Sequence, residues 1–178
     1  LYGSYESDTL ENYEIGTKWA VADGHLLLTA ALFRTEKTNA RVTTGAGSAA
    51  VTNLEGEQRV DGIELGMAGN FGERLSLFGG YTWLDTEIVS SPDPNQVGKS
   101  LPNVAERSFS LQARYQWTDA FAIGGTASYA SEINGGTVVA TSTGIPDWWR
   151  GDLFAEYRFT AGLSARLPLL GAHEERHP

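Results

Sequence analysis

Cysteine and long apolar runs are both absent from the 178 residues of this chain. Without cysteine there is no disulfide framework and no thiolate-bound zinc or iron–sulfur site. A transmembrane helix needs about 18 consecutive apolar residues, and the longest apolar region, residues 26–33, is far shorter. The length suits one domain, which is therefore expected to have neither disulfides nor membrane-spanning helices.

Basic residues are also scarce. There are 13 Lys and Arg residues against 22 Asp and Glu residues, which gives a net charge of −9. Nucleic-acid binding needs clustered positive charge, so nucleic acid is not an expected partner. Hydrophobic residues make up 41% of the chain, which argues against wholesale disorder.

Apolar and polar residues alternate in much of the sequence. In RSFSLQARYQW (107–117), Phe109, Leu111 and Tyr115 share one parity and Gln112 has the other. A period of two predicts a β-strand with one apolar and one polar face. Strong or weaker alternation recurs in 12–19, 26–36, 62–71, 75–87, 121–130, 151–159 and 163–170. The sequence thus predicts eight strands, several of which reach the roughly 9–11 residues needed to cross a bilayer when tilted.

The connections between these strands alternate in length, and aromatic residues mark the strand ends. Short turns fall near 20–25, 72–74, 118–120 and 160–162, and long polar segments fall at 37–57, 88–106 and 131–147. The aromatics directly before the short turns are Trp19, Phe71, Trp117 and Phe159, and those near the far ends are Tyr81, Trp83 and Tyr129. Transmembrane β-barrels have aromatic girdles at both interfaces, short periplasmic turns and longer extracellular loops. The pattern therefore favours an antiparallel transmembrane barrel over a soluble sandwich and predicts that these seven residues lie at the membrane interfaces.

Six stretches, in this order, resemble the C-terminal barrel region of the TonB-dependent siderophore receptors of the bacterial outer membrane. They are NYEIGTKW (12–19), TAALFRTEKTNAR (29–41), GEQRVDGIELGMAG (56–69), LSLFGGYTWLDTEI (75–88), GKSLPNVAERSFSL (98–111) and AEYRFTAGLSARL (155–167). The run FRTEKTNAR followed by GEQRVDGIELG resembles the catecholate-siderophore branch.

The resemblance implies import rather than catalysis, with iron carried only as a ferric siderophore and with no cofactor. Such receptors form 22-stranded barrels whose lumen is plugged, and a TonB complex supplies energy through an N-terminal region that this sequence does not include. Residues 1–170 are therefore expected to form about eight strands of a larger barrel in outer-membrane lipid. Two alternatives stay open: a complete small eight-stranded outer-membrane barrel, and a soluble β-sandwich binding module.

Ligand contacts are predicted from chemistry. Ferric catecholates are anionic and aromatic, so cationic and aromatic residues on the extracellular loops are the candidates. Those that fit by type and position are Arg41, Lys99, Arg107, Trp148, Trp149 and Arg150. The alternative interpretation is that they are interface-belt residues or solvated loop charges.

Two other motifs carry less weight. Asp61 and Glu64 could suggest paired-carboxylate catalysis, but their opposite parity places them on different faces of a strand. The end of the chain, GAHEERHP (171–178), contains an H-E-x-x-H pattern, which binds zinc only with histidines one helical turn apart and a third ligand. Neither a catalytic site nor a metal site is predicted. The family resemblance stops near residue 167, and residues 171–178 are expected to be an unstructured tail. A frameshift, a truncated gene or a fragmentary sequence would each explain the break.

Overall fold

A computed structural model describes residues 7–44, 51–136 and 144–175 and shows one eight-stranded antiparallel sheet. The strands are β1 (Thr9–Val21), β2 (Leu26–Thr44), β3 (Val51–Phe71), β4 (Leu75–Ser90), β5 (Arg107–Gln116), β6 (Phe121–Ala130), β7 (Trp148–Thr160) and β8 (Leu163–Glu175). Each strand pairs with the next one in the sequence. The predicted all-β fold with eight antiparallel strands is confirmed, and one sheet replaces the two packed sheets of a sandwich. Within the described ranges, no helix is long and apolar enough to cross a membrane.

Short and long connections alternate along the chain, so the two ends of the strands differ. Tight turns join β1 to β2, β3 to β4, β5 to β6 and β7 to β8. The end of the sheet that carries these turns is called the turn end. The turn between β1 and β2 uses left-handed backbone at Ala22, Asp23 and Gly24, whose φ angles are 52°, 55° and 85°. Glycine has no Cβ and adopts such a φ readily, which explains Gly24, and Asp tolerates the left-handed region better than most residues. The opposite end of the strands carries the longer connections and is called the loop end.

Residues that lie directly opposite each other in the register project to the same face of the sheet. One row across four strands is entirely aromatic: Tyr81 lies opposite Phe109, which lies opposite Tyr129, which lies opposite Trp149. The ring centroids of Tyr129 and Trp149 are 4.7 Å apart. The predicted interface aromatics all fall on this apolar face by strand parity. Those at the turn end are strongly exposed, as the lipid-facing side chains of a membrane barrel would be.

The apolar face ends at a row of charges near the loop end. Arg34 pairs with Asp61 through two hydrogen bonds of 2.7 and 3.0 Å, and Arg59 bridges Asp61 to Glu87. Ten residue steps separate Asp61 from Phe71 at the turn end of β3. At about 3.4 Å per residue and a tilt of about 40°, this distance spans roughly 25 Å, the height of the apolar band of a membrane barrel.

Two expectations from the sequence differ from the structure. The polar segment 37–57 was expected to be a loop, but β2 runs to Thr44 and β3 starts at Val51, so most of it is a long hairpin. Residues 171–175 belong to β8 and pair with β7, so the expected unstructured tail is wrong for these five positions. Pro168 does not end the strand because a register shift beside it forms a bulge, a place where a missing N–H donor is tolerated.

Candidate functional site

The polar face carries an ionic network near the turn end. Arg114 on β5 donates from Nε to Oε2 of Glu156 on β7 at 2.6 Å. Arg166 on β8 lies 3.7 Å from the other carboxylate oxygen of Glu156, and its Cζ lies 3.4 Å from the centroid of the Phe154 ring. A guanidinium above an aromatic face is an attractive cation–π contact. Glu156 thus connects three strands of the sheet through charge-assisted contacts.

Glycines opposite phenylalanines make room for these rings on the same face. Phe154 is only 5% exposed and covers Gly124, where an added Cβ would lie 2.4 Å from the ring. Phe33 covers Gly62 in the same way on β2 and β3, with a corresponding distance of 2.3 Å. Both glycines are therefore required by close packing rather than by backbone conformation.

The connection between β4 and β5, residues 91–106, is fixed against β4. The amide of Ile88 donates to the carbonyl of Lys99, and the amide of Gly98 donates to the carbonyl of Ile88, both at 2.9 Å. The amide of Leu101 donates to Oγ1 of Thr86 at 3.0 Å. Thr86 and Ile88 are each 5% exposed. Thr86 and Ile88 have the same parity as Glu64, which places this contact on the polar face. The loop 91–106 therefore lies over the polar face at the loop end of the sheet.

A cavity of about 250 Å³ lies between this loop and the start of the β6–β7 connection. The amide of Asn103 donates to the carbonyl of Asn134 at 2.8 Å and joins the two connections. The cavity is lined by Ser100, Leu101, Val104, Glu106, Arg107, Ser131, Glu132 and Asn134. Hydroxyl, amide, carboxylate and guanidinium groups meet here, so the cavity can hold a polar group of a ligand through hydrogen bonds.

The six predicted ligand contacts do not form one cluster. Arg107 lines the cavity, and Lys99 lies on the fixed loop close to it. Trp149 belongs to the aromatic row, where its ring also lies 6.4 Å from Phe109, as the belt interpretation expects. Arg150 has the opposite parity and pairs with Asp152 at 3.1 Å. Arg41 falls within β2, but its side chain lies outside the described residues.

Charge at the loop end also changes the titration of one carboxyl group. Asp61 lies beyond the apolar band, and its hydrogen bonds from the Arg34 guanidinium lower the pKa of that carboxyl below its ordinary value. The charge of Arg34, and more weakly that of Arg59, acts in the same direction. The H-E-x-x-H pattern gains no comparable support, because His173 lies on the extended strand β8 rather than on a helix. In the part of the chain that the structure describes, no group of metal-ligating side chains forms a site.

Sequence reasoning did not find the contact between Thr86 and the loop. The hydrogen bond joins positions 15 residues apart, and no local pattern encodes that pairing. Arg166 was also missed, although its even spacing from Ser164 placed it on the polar face of a predicted strand. The alternation of residues along the predicted strand was therefore the signal that could have identified Arg166.

Comparison with known protein families shows which family this sheet belongs to. The model of the family described as "TonB dependent receptor-like, beta-barrel" matches residues 2–168. The chain belongs to this family. Proteins of this family are outer-membrane β-barrel receptors of Gram-negative bacteria rather than enzymes. In such barrels the apolar face of the sheet is the one that meets lipid, and the polar face is the one that lines the lumen.

Two relatives show the same match in sequence and in structure. The catecholate siderophore receptor Fiu of Escherichia coli is 37% identical over 86% of this chain. Its crystal structure in the closed form superposes with a TM-score of 0.78 over 92% of this chain. The probable TonB-dependent siderophore receptor PiuA of Acinetobacter baumannii is 32% identical over 97% of this chain, and its structure gives a TM-score of 0.79 over 89%. The chain spans 20% of the length of Fiu and 24% of the length of PiuA.

Proposed function

We propose that this chain forms consecutive strands of a larger outer-membrane barrel that binds ferric siderophores and imports them. The observation that carries the proposal is the match to Fiu, in which 92% of this chain superposes on part of a receptor named for ferric-catecholate import. The open sheet supports it as well. In the described residues β1 pairs only with β2 and β8 only with β7, and unpaired strand edges in lipid cost several kcal/mol for each backbone group.

The proposed ligand is a ferric siderophore of the catecholate type. Its anionic, aromatic iron centre fits guanidinium, ammonium and indole side chains. The proposal places the contacts at the loop end, with Lys99 and Arg107 beside the cavity as the first candidates. Arg41, Trp148, Trp149 and Arg150 remain weaker candidates of the same chemical type.

Energy for import is proposed to come from a TonB complex that acts on the receptor carrying this segment. In this proposal the strands form a wall, the lumen is plugged as in other transporters of this size, and the long connections select the ligand.

The proposal is tested by uptake in cells. The receptor that carries this segment is expressed in an E. coli strain without its own catecholate receptors, and radioactive iron is supplied as a ferric catecholate, a ferric hydroxamate or ferric citrate. We expect uptake of the catecholate alone, and no uptake in a strain without TonB. Uptake of none of the three complexes by a correctly assembled barrel would refute the proposed ligand class.

A double variant tests whether side chains at the loop end bind the imported ligand. Removing both charges by Lys99→Ala and Arg107→Ala is expected to weaken binding of the ferric catecholate by about 100-fold or more, because each charged hydrogen bond contributes about 1.5–3 kcal/mol. Arg74→Ala is the matched control, since Arg74 lies in the turn between β3 and β4 at the opposite end of the sheet. An equal loss in the control would show that the two loop residues have no special role.

A further inference from the structure

The cavity between the loop 91–106 and the β6–β7 connection has walls that are fixed without a ligand. The amide of Leu84 donates to the carbonyl of Glu106 at 2.8 Å. The amide of Ser131 donates to the carbonyl of Arg107 at 2.8 Å, and the amide of Arg107 donates to Oγ of Ser131 at 3.1 Å. A site whose walls are held in place beforehand binds with a smaller loss of conformational entropy. The cavity is therefore preorganised for binding.

The groups that line the cavity carry one negative charge in excess. Glu106 and Glu132 provide two carboxylates, whereas Arg107 is the one cationic residue of the described lining. Neither carboxylate makes an ion pair or a side-chain hydrogen bond with any described residue. Ser100 and Ser131 add hydroxyl groups, which can donate or accept a hydrogen bond. The cavity therefore has free carboxylate acceptors, and it suits a ligand group that donates hydrogen bonds and carries positive charge.

The volume of the cavity limits what it can enclose. Pockets that enclose a drug-sized ligand usually have about 300–1,000 Å³, whereas this cavity has about 250 Å³. An iron ion surrounded by several catecholate groups is a ligand of at least that size. Its negative charge would also be repelled by the excess negative charge of the lining. The cavity is therefore too small and too negative for the iron centre itself, and it suits a smaller part of the same ligand.

We infer that this cavity, here called the arm pocket, binds a positively charged amine arm of a ferric catecholate, with Glu106 and Glu132 as the acceptors. The inference rests on the proposed function, because it concerns the same ligand. Lys99 immediately precedes Ser100, which lines the arm pocket, so an anionic iron centre held by Lys99 leaves the arm next to the two carboxylates. An ammonium group provides three donors, and hydrogen bonds between ionised groups are about twice as strong as neutral ones. Opposite charges at neighbouring positions thus orient the ligand as well as bind it.

The test measures iron uptake by the whole receptor that carries this segment, in the E. coli strain without its own catecholate receptors. Radioactive iron is supplied with a catechol amide whose arm ends in an ammonium group, in the acetylated form of that group, or in a carboxylate. We expect the ammonium arm to half-saturate uptake at a concentration about tenfold or more lower than the acetylated arm, because acetylation removes a charged hydrogen bond. Glu132→Gln and Glu106→Gln should each reduce this preference, whereas Glu73→Gln, in the turn between β3 and β4, should preserve it.

The outcomes separate the inference from the proposed function. Uptake of all three complexes at equal half-saturating concentrations would overturn the inference and leave the proposed function intact. An unchanged preference for the ammonium arm when both substitutions are combined would also overturn it, provided that resistance to detergent unfolding without heating shows a correctly assembled barrel. Tighter uptake of every complex by these variants would place the iron centre in the arm pocket, which contradicts the inference. Uptake of none of the complexes by the parent would refute the inference and the proposed ligand together.

Discussion

The hydrogen bond between Thr86 and Leu101 provides a direct test of whether the loop 91–106 must be fixed for ligand binding. Thr86→Val preserves the side-chain shape but removes the acceptor of the Leu101 amide, which lies 3.0 Å from Oγ1. Thr86 is 5% exposed, so the amide has little access to water as a substitute. An unsatisfied buried donor costs about 1–3 kcal/mol, and the loop's closed state should lose stability by that amount.

That free energy converts into two measurable quantities. A cost of about 1–3 kcal/mol corresponds to a roughly 5- to 150-fold change in the equilibrium between closed and open loop. Hydrogen exchange of the Leu101 and Ile88 amides should accelerate by that factor. If the ligand binds only the closed loop, its apparent Kd should rise once the open state becomes significantly populated, in inverse proportion to the fraction of loops that stay closed.

Thr82→Val is the matched control for this experiment. Thr82 lies on the same strand and has the same parity as Thr86, but its side chain makes no hydrogen bond to the described residues of the loop. Exchange at Leu101 should be the same as in the parent for this variant. Equal acceleration in both variants, or normal exchange in Thr86→Val, would refute the reasoning that this one hydrogen bond closes the loop.

Two further predictions address packing and pH. Gly124→Ala should destabilise the barrel by about 1–3 kcal/mol through overpacking, because the new Cβ would lie 2.4 Å from Phe154 and 2.7 Å from the carbonyl oxygen of Ala113. Gly151→Ala, whose Cβ would meet nothing closer than 3.9 Å, should be tolerated, and equal melting temperatures for the two variants would contradict this account. Because Arg34 lowers the pKa of Asp61, the ionised carboxyl stabilises the fold above the unfolded pKa of about 3.9, and this contribution is lost as the pH falls through the folded value. Asp61→Asn should therefore lower the melting temperature at pH 7 but make little difference near pH 2, and a difference independent of pH would exclude this linkage.

The strands and their faces could be predicted from the sequence because both depend on local alternation. The parity of Phe109, Leu111 and Tyr115 gave the apolar face of β5 correctly, and the Asp-Gly pair at 23–24 gave the first turn. The prediction was wrong where polar composition was equated with a loop. Residues 37–44 and 51–57 are polar and still form strands, because the hairpin extends beyond the apolar band and neither of its faces needs lipid.

The candidate site was less predictable because its contacts join distant positions. Lys99 and Arg107 were chosen by charge and position, and the structure places both near one cavity. Thr86, which fixes the loop, has no local signature. Trp148 and Trp149 are neighbours in sequence, yet strand alternation directs them to opposite faces. A pair that looks like one aromatic cluster in the sequence is therefore divided between the lumen and the lipid-facing row.

The distribution of apolar side chains explains why this sheet acts as a wall rather than as the core of a domain. The buried apolar residues in the described ranges are few and small apart from three: Leu26, Ile88 and Phe154. Large apolar side chains such as Ile15, Trp19 and Phe71 are more than half exposed, and in water each exposed Å² of them would cost about 25 cal/mol. Lipid removes that cost on one face. The polar face carries the ionic network of Arg114, Glu156 and Arg166 instead. Under the proposed function, contacts with the ligand are therefore expected on this face and in the loop 91–106 rather than on the apolar face.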